Sequence, residues 1–131
     1  IADPARYFYC PKPSRSEKDQ GLEHLPASTA GEATHRQDGS AGLNNPRAGA
    51  GRTGGARNIH PTVKAVELMR FLCRLVTPVA GVVLDPFAGS GSTGLGALAE
   101  GLRFVGCEQG GGDGDPYLPI LVGRISHALR A

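Results

Sequence analysis

Cysteine, long apolar runs, aromatic rings and an excess of one charge are all scarce in this chain, and most of these shortages exclude something. Cys10, Cys73 and Cys107 are odd in number and far apart, and no CxxC pair exists, which argues against a structural zinc site. Each sits in or beside apolar sequence, so small buried thiols in a reducing compartment are expected. No apolar run approaches the roughly 20 residues that span a bilayer, and no signal peptide is visible. The expectation is a cytoplasmic protein without a membrane partner. The formal net charge of +2 neither asserts nor excludes nucleic acid as a partner. His24, His35 and His127 show no metal-ligand spacing, no pair of nucleophile and base is evident, and His60 reads as the start of a helix.

What is abundant is glycine, 20 residues, and proline, 10. The glycines crowd the stretches 41–56 and 110–114, so the folded part is shorter than the 131 residues, which suffice for one domain. The chain opens on Ile1 and reads as a piece of something longer. Residues 1–12 contain "RYFYC", a short apolar strand ended by Pro11. Residues 13–57 lose periodicity and read as a long flexible loop rich in Gly, Pro and Ser. Its last charges are Arg47, Arg52 and Arg57, set among glycines with no acid nearby. They suit either a solvated linker or a loop closing on a polyanion such as DNA.

Periodicity returns in 58–131. Val63, Val66, Met69, Leu72, Leu75 and Val76 form an apolar stripe, predicting a helix that starts after His60 and Pro61 and stops before Pro78. "GVVLDPF" reads as a buried central parallel strand, "STGLGALAEG" as a short helix ending at Gly101, and "LRFVGCE" as a second strand. A last helix follows from about Asp115 or Pro116, weakened by Pro119 and Gly123. The order predicts an α/β fold with a βαβ core and a right-handed crossover.

Gly89, Gly91 and Gly94 spell G-x-G-x-x-G between the first strand and its helix, where backbone can approach a ligand and helix amides meet negative charge. Glu108, at the end of the next strand, is placed to receive the two hydroxyls of a ribose. A dinucleotide and S-adenosylmethionine both fit this much. Asp85 at the strand's end distinguishes them: an anion there opposes a pyrophosphate but pairs with the ammonium of an amino acid. The alternative role for Asp85 is to fix the turn with Pro86.

"DPFAGSGSTG" closely resembles the cofactor motif of amino-group DNA methyltransferases, which act on adenine N6 or cytosine N4. "NIHPTVKAVELMR" resembles the motif preceding it in their permuted class, where the cofactor motif lies in the C-terminal half. "RFVGCEQ" and "DPYLPILVGRISHAL" are similar to the strand and helix that follow, and "RYFYCPKPSRSEKDQGL" to an upstream segment of phage and bacterial members. The resemblance implies a Rossmann-like methyltransferase fold, here with an incomplete parallel sheet and flanking helices, and S-adenosylmethionine as cofactor. Asp85, Phe87, Ala88, Gly89, Ser90 and Gly91 would surround its methionine part. Thr62 and Lys64, with the amides near Ser92 and Thr93, would hold its carboxylate, and Glu108 its ribose. Double-stranded DNA would be the substrate, with Arg47, Arg52 and Arg57 as contacts.

The chain departs from the family pattern at three places. Ala65 replaces a usual proline, and Gly110, Gly111 and Gly112 lengthen the loop after Glu108. The catalytic segment, an Asp, Ser or Asn followed by Pro-Pro and an aromatic, is absent. That segment would hold the flipped base while its amino nitrogen attacks the methyl group. "DPY" at Asp115 lacks a proline and reads instead as a helix start, with Asp115 as cap. The resemblance therefore implies a cofactor-binding half whose catalytic half lies upstream or on a second chain. An isolated chain would then be an inactive binding module, and a dinucleotide-binding domain is the remaining alternative.

Overall fold

The computed structural model describes residues 10–29, 32, 55–110 and 116–131. The strand expected in "RYFYC" lies outside them apart from Cys10, as do Arg47, Arg52 and Asp115.

The segment 13–57, expected to be loop, is built at both of its ends. Ser14 caps a short helix, α1 (Arg15–Asp19), by accepting the Glu17 N–H at 3.1 Å. Asp19 Oδ1 accepts the N–H groups of Arg57 at 3.1 Å and Asn58 at 2.8 Å, and the Asn58 amide donates to the Lys18 carbonyl at 2.9 Å. An antiparallel bridge between Ser28 and Ala56 closes the base of the excursion. Polar side chains that bond backbone across the fold leave no trace in hydrophobic periodicity, so the sequence reads as structureless.

Helix α2 (Val66–Val76) starts several residues later than the prolines predict. Between His60 and Ala65 the backbone is held by local bonds instead. His60 N–H donates to Asn58 Oδ1 at 3.1 Å and Thr62 N–H to His60 Nδ1 at 3.3 Å. Ala65, extended at φ −65° and ψ 132°, is the N-cap rather than part of the first turn. Its missing side-chain cap is supplied from α1, where Glu17 Oε1 accepts the Val66 N–H at 2.8 Å. The helix ends at extended Thr77, ahead of Pro78, as expected.

Two parallel strands follow, β1 (Val82–Asp85) and β2 (Arg103–Gly106), in register from Val82 opposite Arg103 to Asp85 opposite Gly106. Helix α3 (Ser92–Ala99) connects them and packs chiefly on α2. Helix α4 (Tyr117–Ala128) follows, with Pro116 as its N-cap where Asp115 was expected, and runs through both Pro119 and Gly123. Pro119 falls in the first turn, where no intrahelical N–H is needed. Gly123 lets Leu22 approach, since a Cβ there would stand 2.7 Å from Leu22 Cδ2.

The core gathers Cys73, Ala97 and Leu102, with Val83 and Phe104 packed against it. Burial corrects two expectations. β1 is not buried on both faces: Val82 and Leu84 are exposed, as are Leu75 and Val76 on α2. Among the described residues the sheet has two strands, and α3 covers one face. Of the cysteines only Cys73 is buried; Cys10 and Cys107 are exposed, Cys107 just past the end of β2.

Candidate functional site

The glycine-rich turn joins the carboxyl end of β1 to the amino end of α3 and is tied to the residues just past β2. Ala88 N–H donates to the Cys107 carbonyl at 2.8 Å, and Gly89 N–H to Glu108 Oε2 at 2.6 Å. Asp85 Oδ1 accepts the Phe87 N–H at 3.0 Å, so this carboxylate does fix the turn and keeps its second oxygen for another partner. Gly91 stands at φ 76°, the left-handed region, and a Cβ on it would meet Leu121 Cδ1 at 2.8 Å. At Gly94 the requirement is space, with Phe104 Cε1 and Ile125 Cδ1 within 2.7 Å of a Cβ.

Gly91 is the N-cap of α3 and offers no side-chain acceptor. The first amides of the helix thus lack an intrahelical partner and carry the positive end of its dipole. Around this point Ala88, Ser90 and Ser92 are buried, with the two serine hydroxyls 3.4 Å apart. Thr93 lends its carbonyl to the Cys73 thiol at 4.0 Å, and Phe87 is 87% exposed. Two acids, Asp85 and Glu108, and the uncapped first amides of α3 thus stand around one glycine turn.

The arrangement brings together Asp85, Ala88, Gly89, Ser90, Gly91, Ser92, Thr93 and Glu108. Thr62 and Lys64 stand exposed, with Lys64 Nζ donating to the Thr62 carbonyl at 3.3 Å. The member of their segment that reaches the turn is His60, whose Nε2 would lie 2.9 Å from a Cβ on Gly89. His60 is therefore part of the site wall and not a helix start. Its ring meets Tyr117 edge-on, with centroids 4.9 Å apart. Burial holds its pKa below the ordinary value, opposed by the charge of Glu108 and reinforced by Lys64 and Arg124. Because Nδ1 accepts the Thr62 amide, the neutral ring carries its proton on Nε2. Arg57, with its N–H on Asp19 and its Nε buried, is anchored to α1.

Sequence reasoning missed Arg124. Its Nη1 donates to the Ser90 carbonyl at 2.6 Å and to Ser92 Oγ at 3.2 Å. The available signal was its spacing, four and three residues after Ile120 and Leu121, which puts a cation on the buried face of α4. Among the described residues no three His, Cys, Asp or Glu side chains could hold a metal ion. None of the helices there is long and apolar enough to cross a membrane.

Known proteins similar in sequence are methyltransferases. The type II methyltransferase M.ScaI of Streptomyces caespitosus is 38% identical over 77 residues, covering 59% of this chain and 24% of that protein. The type II methyltransferase M.HindIII of Haemophilus influenzae is 43% identical over 56 residues, 43% of this chain and 18% of the relative. The DNA adenine methyltransferase YhdJ of Escherichia coli is 43% identical over 49 residues, 37% of this chain and 17% of the relative. The matched part thus spans about a quarter of these relatives' length or less. No solved structure matches. The sequence model of the DNA methylase family of N6 and N4 type matches residues 7–111, most of the chain. The chain therefore belongs to the DNA methylase family.

Proposed function

We propose that this chain is the S-adenosylmethionine-binding half of a DNA methyltransferase of the permuted class, acting on an exocyclic amino group of adenine or cytosine. The observation that carries the reading is the 2.6 Å bond from Gly89 N–H to Glu108, which joins the turn after β1 to the acid after β2. The donor set suits the cofactor. The free oxygen of Asp85 takes the ammonium, and the amides of Ser92 and Thr93 at the uncapped start of α3 take the carboxylate, with Lys64 in support. The free oxygen of Glu108 takes the ribose hydroxyls. Phe87, Ala88, Gly89, Ser90 and Gly91 wall the methionine part, and Thr62 closes the side next to Lys64. When bound, the cofactor supplies a methyl group on a sulfonium.

The absent catalytic segment would come from upstream sequence or a second chain. β1 has β2 as its only partner among the described residues, and Val82 and Leu84 are exposed beside it, which supports a further strand docking there. Double-stranded DNA is the proposed substrate. Arg47 and Arg52 remain candidate contacts, and Arg57 is the weaker third because its backbone is already engaged. The isolated chain would bind cofactor without turnover in a cytoplasmic setting. Mixing it with an upstream fragment carrying the catalytic segment tests this: methyl transfer to duplex DNA by the mixture alone is expected. Transfer by the isolated chain, or none by a mixture shown to associate, would contradict it.

A further inference from the structure

Arg124 places a buried charge beside the glycine turn. It is 1% exposed, yet no carboxylate pairs with it among the described residues. Its acceptors are neutral oxygens: the Ser90 carbonyl at 2.6 Å, Ser92 Oγ at 3.2 Å and the Glu17 carbonyl at 3.5 Å. Its Nε, also buried, has no partner there. Burial disfavours this cation and, among the described residues, the charge of Glu17 opposes that cost without forming an ion pair; a fold that needed only packing at this position would be better served by a hydrocarbon.

The location of the charge gives it a use. The peptide joining Ser90 to Gly91 is pinned from both sides, its carbonyl by Arg124 and its N–H by the Ala88 carbonyl at 2.8 Å. That peptide sets the direction in which the chain enters α3, since Gly91 follows it in the left-handed region. The second bond of the guanidinium goes to Ser92, the first residue of the helix. The positive charge therefore lies at the same turn as the uncapped first amides of α3, and it adds to the helix dipole there.

We propose that Arg124 is a positioning residue for the site: it locks the turn between Ser90 and Ser92 and sets a buried positive charge behind the first turn of α3, so that the amides there hold a ligand carboxylate. This deepens the cofactor reading above and rests on it for the identity of the ligand. The role is distinct from general support of the fold, because it acts on one end of the ligand only. An adenosine thioether without the amino-acid end should not sense it.

The test titrates the chain and its Arg124→Gln and Arg124→Lys variants with S-adenosylmethionine and with 5′-deoxy-5′-methylthioadenosine, which lacks the carboxylate and ammonium. Arg124→Gln should bind S-adenosylmethionine about tenfold more weakly while its affinity for the thioether stays within about twofold. Arg124→Lys, which keeps the charge but not the paired bonds to Ser90 and Ser92, should recover only part of the loss. Parallel weakening toward both ligands, or no weakening toward S-adenosylmethionine, overturns the proposal. If Arg124→Gln does not fold, Arg124→Lys decides by the same comparison, with about threefold expected for S-adenosylmethionine alone. If the unmodified chain binds neither nucleoside, the cofactor reading fails by itself. The lock is then read from amide hydrogen exchange, where Gly91 and Leu95 should exchange about tenfold faster in Arg124→Lys with β2 unchanged. Unaltered exchange at both amides overturns it.

Discussion

Replacing Gly91 by alanine separates two reasons for glycine at the turn. The first is conformational: at φ 76° an L-residue is strained, at about 1–2 kcal/mol. The second is space: the new Cβ would lie 2.8 Å from Leu121 Cδ1 and 3.4 Å from Ile125 Cγ1. Leu121 is itself buried, so moving it disturbs packed neighbours at about 1–3 kcal/mol. Gly101 supplies the control, because it has φ 69° and nothing within 4 Å of its would-be Cβ. Both substitutions remove similar freedom from the unfolded chain, so that contribution cancels in the comparison. Gly91→Ala should therefore be less stable than Gly101→Ala by about 1–3 kcal/mol, or about 4–11 °C in melting temperature for a domain of this size. Thermal melts by circular dichroism measure the difference. Melting temperatures within about 2 °C of each other would refute the claim that α4 packs directly against the turn.

Three further outcomes follow from charge and burial. Hydrogen bonds from Arg74 and Arg70 hold Glu100 at about 2 rather than 4.5, so its contribution to stability is present above pH 4.5 and is lost as pH falls toward 2. Glu100→Gln should melt below the unmodified chain at neutral pH, with a gap that closes over that window; a gap independent of pH refutes the pairing. His60 should titrate by NMR below its ordinary 6.5, so that acidification through 6.5 protonates the unfolded chain first and weakens the fold. Glu108→Gln should lower the His60 midpoint further, because the Glu108 charge acts to raise it; a rise would contradict the geometry of the turn. A thiol reagent should label Cys10 and Cys107 quickly and Cys73 only on unfolding, since burial also raises the Cys73 pKa; three equal rates would refute the core.

The elements that carry apolar periodicity were readable in the sequence: α2, β1, α3, β2 and α4 occur in the expected order, with parallel pairing. So was the meeting of the glycine turn with Glu108, because parallel strands joined by a helix bring their carboxyl ends together. What escaped was polar and nonlocal. Asp19 gripping Asn58, Glu17 capping α2 from α1 and Arg124 reaching Ser90 are contacts across 39, 49 and 34 residues, and no local pattern encodes them. The start of α2 was misplaced because Pro61 suits a first helical turn as well as it suits a bend. Burial of β1 was overestimated because an apolar run records what a strand can bury, whereas the exposure of Leu84 depends on which neighbours are present.

Calorimetric titration of the chain with S-adenosylmethionine, beside NAD and the Asp85→Asn variant, decides whether the glycine turn is a cofactor site. Asparagine keeps an acceptor for the Phe87 N–H while removing the charge, so it separates the turn-fixing role of Asp85 from ammonium pairing. One site for S-adenosylmethionine is expected, weakened about tenfold or more by Asp85→Asn, with no response to NAD. A folded chain that binds NAD and not S-adenosylmethionine, or a variant that binds S-adenosylmethionine as well as the unmodified chain does, would contradict the cofactor reading.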